Sequence, residues 1–367
     1  MALERIMQAE REAFLQEHGG TKNGFYTCNL DTSLGRLEGV RVPRDREGRF
    51  HTQLFAPYQR RTLDVEALIE GMFLQGLSLR RIAEVLEPVL HLRYSPTTLS
   101  RMAEITLEEI QAWRQRPLPR RYAVLMVDAL WVSVRRDTVA KEAVLVVLGI
   151  TETGQRELLD FDVAPAERAS NGEALLQRIR ARGVQEVLLV VMEGLPGLED
   201  AVRRVFPGAD IQRCTVHKLR QTRAQVRRKD WSEVHADLKA VLDAPDRETA
   251  LARFAEFRAR WQARYPKLVA SWERDLDTLL TFLHYPRPVR PVLRSTNLME
   301  RTFKELRRRF KVVEVFPSVQ ALERMTYWHL VRLNARWGER AVRGFQAARH
   351  DLERLFDQRY PSSTQKS

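Results

Sequence analysis

YAVLMVDALWVSV (122–134), EAVLVVLGITE (142–152) and ELLDFDVA (157–164) decide how this chain folds. Each is a run rich in apolar and β-branched residues, and the turn-like RRDTVAK (135–141) and ETGQR (152–156) separate them. Three successive strands on short loops predict an antiparallel meander. Downstream the pattern changes. NGEALLQRIRARG (171–183) reads as a helix, EVLLVVME (186–193) as a strand, LPGLEDAVRRVF (195–206) as a helix and DIQRCTV (210–216) as a short strand. Such alternation builds parallel crossovers.

The resulting β-β-β-α-β-α-β order is that of the ribonuclease-H-like α/β topology, in which the first and fourth strands lie side by side. Asp128 and Glu193 fall near the ends of those two strands, and a third acid, Glu300, opens the basic helical run NLMERTFKELRRRFK (297–311). Hard divalent metals take oxygen ligands delivered to one point. Metal-dependent phosphodiester chemistry is therefore the first hypothesis. Two of the acids have a local alternative. Asp128 could sit exposed at a strand end, bonded to a turn, whereas burial without a partner would be costly. Asn297-x-x-Glu300 also reads as a capping box, with Glu300 reaching back to the helix start. Against that, Glu300 shares a flank with Lys304, Arg307, Arg308 and Lys311, beside an apolar stripe of Met299, Phe303, Leu306 and Phe310.

At 367 residues the chain has room for two or three domains, and its formal net charge of +13 points to a polyanionic partner, nucleic acid before membrane. An Arg-rich soluble protein without such a partner is the plainer alternative. Cys28 and Cys214 are the only cysteines, which excludes a disulfide framework and a four-Cys zinc site. The charged start MALERIMQAE lacks a signal core, and no apolar run reaches the ~18–20 residues that span a bilayer. A soluble, cytoplasmic protein is expected.

Upstream, residues 1–60 predict a helix over about 2–17 and a small hairpin from FYTCNL (25–30) and GRLEGVRVPR (35–44). Arg41, Arg44, Arg46 and Arg49 are either a DNA-backbone arm or a solvated loop. Over 62–113, Asp64 caps a first helix that Gly76 ends, and Ser78 caps a second. Ser95-Pro96 then launches TTLSRMAEITLEEIQAW (97–113). This is helix-turn-helix spacing, with Thr97, Thr98 and Arg101 at the end that meets bases or phosphates. RQRPLPRR (114–121) reads as a linker.

From Lys218 to about Pro288 the strand signal vanishes, and four helical stretches form a segment too long for a loop. Trp231, Trp261 and Trp272 are its expected core. Cys214-x-x-His217 closes the last core strand without the second pair a structural zinc site requires. Around it, Arg213, Lys218, Arg220, Arg223, Arg227, Arg228 and Lys229 form a run free of acids. The run is a solvated face or a phosphate-binding surface.

VDALWVSVRRD (127–137), VVMEGLPGLEDAVRRVFPGADIQRCTVHKLR (190–220) and RSTNLMERTFKELRRRFK (294–311) together resemble the Mutator-like family of bacterial insertion-sequence transposases. The resemblance runs from about residue 62 to 340. It implies a ribonuclease-H-like core with an all-helical insertion before the last acid, and an N-terminal DNA-binding region. It maps a DDE catalytic triad onto Asp128, Glu193 and Glu300, and a Cys-x-x-His signature onto Cys214 and His217. Two Mg²⁺ ions about 4 Å apart, replaceable by Mn²⁺, would be held by the three carboxylates for strand cleavage and strand transfer. DNA contacts are expected from Arg213, Cys214, His217, Lys218, Arg220, Arg301, Lys304, Arg307 and Arg308, together with Thr97, Thr98 and Arg101. The implied partners are the element's terminal inverted repeats, target DNA and a second copy of the chain, at the nucleoid.

The expected layout is an arm and hairpin (1–61), a helix-turn-helix-like region with linker (62–121) and a first core segment (122–217). A helical insertion (218–294), the final core helix with C-terminal helices (295–356) and a disordered tail (357–367) complete it. One departure stands out. The family pattern at the second acid is Ser-Asp-Gly, and here it is Met192-Glu193-Gly194. Glu carries the carboxylate ~1–1.5 Å further. That keeps open an impaired or repurposed transposase-derived DNA-binding protein, with another ribonuclease-H-like nuclease as a further alternative.

Overall fold

A computed structural model of the chain describes residues 2–56, 59–74, 77, 79–102, 107–135, 138–165, 169–194, 197–313, 315–316, 318–338 and 340–361. The chain divides into two compact units, Met1–Thr106 and Leu107–Ser367.

The N-terminal unit begins with helix α1 (Ala2–His18) and the antiparallel hairpin β1 (Lys22–Thr32) and β2 (Gly35–Asp45). Met7 packs there with Leu30, Val40, Val42 and Phe55. Arg11 is buried and ties the helix to the hairpin through the carbonyls of Gly24 and Arg44. Helices α2 (Leu63–Leu74), α3 (Leu79–Leu90) and α4 (Pro96–Met102) close around Val65, Ile69, Ile82, Leu86, Leu92 and Leu99. The cap read from the sequence is present: Ser95 Oγ accepts from the Thr98 amide at 3.1 Å, and Pro96 opens the helix. The expected helix end at Gly76 and cap at Ser78 lie outside the described residues.

The second unit carries a five-stranded mixed sheet. Helix α5 (Leu107–Gln115) leads into β3 (Arg121–Arg135), β4 (Val139–Ile150) and β5 (Arg156–Ala164). These three pair antiparallel in succession, as the meander predicts. Helix α6 (Ala169–Ala181), strand β6 (Glu186–Met192), helix α7 (Leu198–Val205) and strand β7 (Asp210–Arg213) follow. β6 lies parallel to β3 and β7 parallel to β6, so the order across the sheet is β5-β4-β3-β6-β7. The first and fourth strands of the sheet are thus neighbours. On one face, Leu125, Val127, Leu145, Val147 and Val190 pack under α6 and α7 through Leu175, Leu176, Ile179, Ala201 and Val202. β6 is buried along its whole length.

No strand follows Arg213 among the described residues. Helices α8 (Thr215–Gln225), α9 (Trp231–Leu242), α10 (Arg247–Trp261) and α11 (Pro266–Leu280), a 3₁₀ turn (Thr281–His284) and α12 (Arg290–Leu293) form the helical segment. Trp261 and Trp272 are buried in it, their indole N–H groups bonded to Asp237 and Thr222, while Trp231 is half-buried under Arg223. The chain returns to the sheet as α13 (Asn297–Val313), whose Met299, Phe303, Leu306 and Phe310 are all buried. Each such side chain contributes about 1.5–3 kcal/mol. Helices α14 (Val319–Trp337) and α15 (Phe345–Arg359) finish the unit.

Two boundaries differ from the sequence reading. Helix α5 groups with the sheet instead of with the preceding helices: Trp113 packs against Phe161 and Tyr327, and Arg114 bonds the Phe161 carbonyl and Glu323. The division therefore precedes α5 rather than falling in 114–121. Order also extends past 356. Arg359 donates to the Leu188 carbonyl and Asp210, and the Tyr360 hydroxyl donates to the Val187 carbonyl at 2.7 Å. Residues 362–367 lie outside the described residues.

His329 on α14 is a buried imidazole whose Nε2 has no hydrogen-bond partner. Burial, then the charges of Arg309, Arg332 and Arg336, push its pKa from 6.5 down to about 4. The folded state thus prefers neutral histidine. The stability this gives is complete above pH 6.5 and is lost as pH falls through about 4. Two to three pKa units correspond to roughly 3 kcal/mol. Urea unfolding between pH 7 and pH 4 should show His329→Leu losing less stability than wild type by about this amount. Equal losses would contradict the assignment.

Candidate active site

The β3–β6 register builds the site. Val127 lies opposite Met192 in a parallel ladder; β6 ends there, while Asp128 continues β3 opposite Val146, so Asp128 and Glu193 stand side by side at one level. The Cys214 amide donates to the Met192 carbonyl at 2.8 Å, which fixes the start of α8 against the end of β6. His217, on the first turn of α8, then places Nε2 2.6 Å from Glu193 Oε1. One ligand atom from each of Asp128, Glu193 and His217 falls within 4.8 Å of the others. Asp128 thus lies close enough to Glu193 for each to feel the other's charge, and the Thr296 hydroxyl, which donates to Cys214 Sγ at 3.5 Å, stands beside them.

Burial, and then the neighbouring Glu193 charge, hold the Asp128 carboxyl well above the usual aspartate range. Burial also works against charge on Glu193, but the His217 hydrogen bond and charge outweigh it and keep Glu193 low. At His217 burial favours the neutral ring, yet Cys214 and Glu193 prevail and raise it to about 10. His217 is accordingly an imidazolium at neutral pH, although its buried Nδ1 makes no hydrogen bond of good geometry with the nearby Cys214. Two carboxyls in contact cannot both ionise cheaply without a cation.

Glu300 lines the same cleft, a cavity of about 640 Å³ bounded also by Trp131, Arg220, Asn297, Arg301, Lys304 and Arg307. Its carboxylate is ion-paired with Arg220, and so stands apart from the Asp128–Glu193 pair. The capping-box alternative is not what forms: Asn297 already lies inside α13, and the Glu300 amide donates to the Thr296 carbonyl.

Other expected DNA contacts are placed differently. Lys218 is buried and bonded to Ser271 and Asp275, Arg213 is bridged to Glu199 and Asp275, and Cys214 is buried under Thr296. These three face the interior, because α11 supplies Asp275 to neutralise the two cations. Arg308 is exposed on α13 outside the cleft wall. In the N-terminal unit Thr97 is exposed, and Thr98 and Arg101 line a separate cavity of about 910 Å³ with Arg36, Arg60, Arg61 and Arg93. Sequence reasoning missed Thr296 and Trp131. Position just before the NLMER helix was the available sign for Thr296, and a tryptophan three residues after Asp128 the sign for Trp131.

A mixed sheet thus brings two acids together at a cleft lined by cations. The sequence profile of the Mutator family of transposases matches residues 1–340, and the chain belongs to that family. It is 33% identical over 365 residues to a transposase for insertion sequence element IS905 from Lactococcus lactis, covering 97% of this chain and 93% of the relative. A transposase for insertion sequence element ISRM5 from Rhizobium meliloti is 33% identical over 346 residues, covering 92% and 87%. Among solved structures, a chain of the Drosophila P element transposase strand transfer complex is similar over 85% of this chain and 87% of that chain. At 12% identity and a TM-score of 0.33 this likeness is too loose to carry an assignment. No described helix is long and apolar enough to cross a membrane.

Proposed function

We propose that this cleft is the catalytic centre of a DDE-type transposase, which binds the ends of an insertion sequence and performs divalent-metal-dependent strand cleavage and strand transfer on a ribonuclease-H-like core. The observation that carries the reading is the convergence of Asp128 and Glu193, with ligand atoms within 4.8 Å of each other, in a cleft rimmed by Arg301, Lys304 and Arg307. The donor set fits a hard cation: two carboxyls that repel as anions, with a third carboxylate in the same cavity. Asp128 and Glu193 would hold Mg²⁺, and Glu300 would join them once it leaves Arg220, as a two-ion site requires. Metal bound there would polarise the scissile phosphate and favour deprotonation of the attacking water or 3′-hydroxyl.

The remaining work falls to the chain. His217, as imidazolium, orients Glu193 and faces its charge toward the phosphate. Arg301, Lys304 and Arg307 project from one flank of α13 and neutralise the flanking backbone. Arg220 is the residue to exchange Glu300 for a phosphate. Thr98 and Arg101 on α4 would contact the terminal repeat. Two ends must be paired, which calls for a homodimer, acting at the nucleoid. The Glu300–Arg220 ion pair favours one second reading, a DNA-binding derivative that no longer cleaves.

Incubating the full chain with duplexes carrying the element's ends separates the two. End-specific binding with nicking and strand transfer in Mg²⁺ or Mn²⁺, absent in EDTA, is expected. Binding without cleavage in either metal would establish the derivative.

A further inference from the structure

Trp131 is the only aromatic among the large hydrophobic residues left exposed in the described residues, at 47%. The six other tryptophans all have partners. Trp113 and Trp337 lie under arginines, as do Trp231 and Trp328, while Trp261 and Trp272 donate their indole N–H groups to Asp237 and Thr222. Among the described residues, Trp131 has no ring contact, cation–π contact or indole hydrogen bond of this kind. Packing therefore gives no reason for a tryptophan here.

Its place on β3 does. β6 pairs with β3 only as far as Val127, and the next contact on that edge is Val134 with Phe316. Between them the edge of β3 is open, and the cleft wraps around it, so that Asp128, Ala129 and Trp131 all line one cavity. Ala129 shares a strand face with Trp131 and is too small to cover it. Three residues of strand set the Trp131 Cα about 10 Å beyond that of Asp128, and the odd offset turns the two side chains to opposite faces of β3, so that they meet the cavity from either side of the open edge. That is too far to touch a phosphate held by Asp128, and within reach of a base beside it. Arg301, Lys304 and Arg307 line the same cavity and suit a nucleic-acid backbone.

An indole can stack only on a base whose face is uncovered, and in an intact duplex both faces are covered by neighbouring bases. We propose that Trp131 stacks on a nucleobase extruded from the duplex next to the scissile phosphate, so that the cleft's substrate is a locally unpaired DNA end. This rests on the catalytic reading of the cleft. Trp131 positions the strand and touches substrate; it moves no proton.

Two readouts on the full chain test the inference. The first needs no cleavage. With 2-aminopurine at successive positions flanking the scissile phosphate, in EDTA, binding of wild type should change the fluorescence at one position, and Trp131→Ala should not. The second is single-turnover cleavage in Mg²⁺. Trp131→Ala should cleave a fully paired end roughly 10- to 100-fold more slowly, the size of one lost base stack. A mismatch at the responsive position should restore most of that rate, and Trp131→Tyr should retain it on the paired end. Equal slowing on paired and mismatched ends, or a fluorescence change that survives Trp131→Ala, overturns the proposal. A fluorescence change that depends on Trp131, with no cleavage by wild type on either end, overturns the catalytic reading alone.

Discussion

Asp128→Asn is expected to abolish strand cleavage, by at least about 10³-fold in single-turnover rate, while the folded protein melts at the same or a higher temperature. The two halves of this result have one cause. Burial and the neighbouring Glu193 charge raise the Asp128 carboxyl in the folded state. An acid raised in this way costs nothing below its unfolded pKa, and its cost to stability grows as pH rises toward the folded value. A neutral amide of the same shape removes that cost. It also removes the anion needed to hold a cation. On the proposed function, Asp128 holds its place at a cost to stability, as a metal-binding carboxyl would. The comparison of end cleavage with thermal melting of the same preparation checks it. Cleavage retained within tenfold would remove Asp128 from the mechanism, and a large fall in melting temperature would make its role structural.

The second large effect concerns Glu193. Replacement by Gln should cost about as much as Asp128→Asn. The informative substitution is Glu193→Asp. In this chain the longer side chain spans two contacts, with Asp128 on one side and His217, at 2.6 Å, on the other. Shortening it by one methylene withdraws the carboxylate by ~1–1.5 Å. Either contact is then lost, and a misplacement of that size can cost ~100-fold. Cleavage by Glu193→Asp should therefore fall by roughly 10- to 100-fold, with end binding unchanged. A gain in cleavage over wild type would show instead that the site is built for aspartate and that Glu193 impairs it.

Much of the fold was legible because its signals are local. The apolar runs that became β3, β4, β5 and β6 differ sharply from the helical periods between them, and the change of pattern marked the parallel crossovers. The cap at Ser95 was equally local. Asp128 and Glu193 could be singled out as acids in apolar strand runs; Glu193 does follow the end of β6, whereas Asp128 lies within β3 opposite Val146, and the parallel register makes the two neighbours. What could not be read depends on partners distant in sequence. Arg213 and Lys218 looked like members of a phosphate-facing run, but Asp275, some sixty residues on, draws both inward. Glu300 has the spacing of a helix cap, and only the packing of α8 beside α13 gives it Arg220 instead. The unit boundary moved because Trp113 finds Phe161 and Tyr327, which the sequence does not announce as its neighbours.

On the proposed function, Asp128, Glu193 and Glu300 converge on divalent metal when a DNA end is bound. A crystal of the full chain with an element-end duplex and Mn²⁺, phased near the manganese edge, tests it most directly. Anomalous density enclosed by Asp128 and Glu193 is expected, with Glu300 turned from Arg220 to complete the site. Manganese bound elsewhere, or DNA seated in the cleft with Glu300 still paired to Arg220 and no metal between the acids, would contradict it.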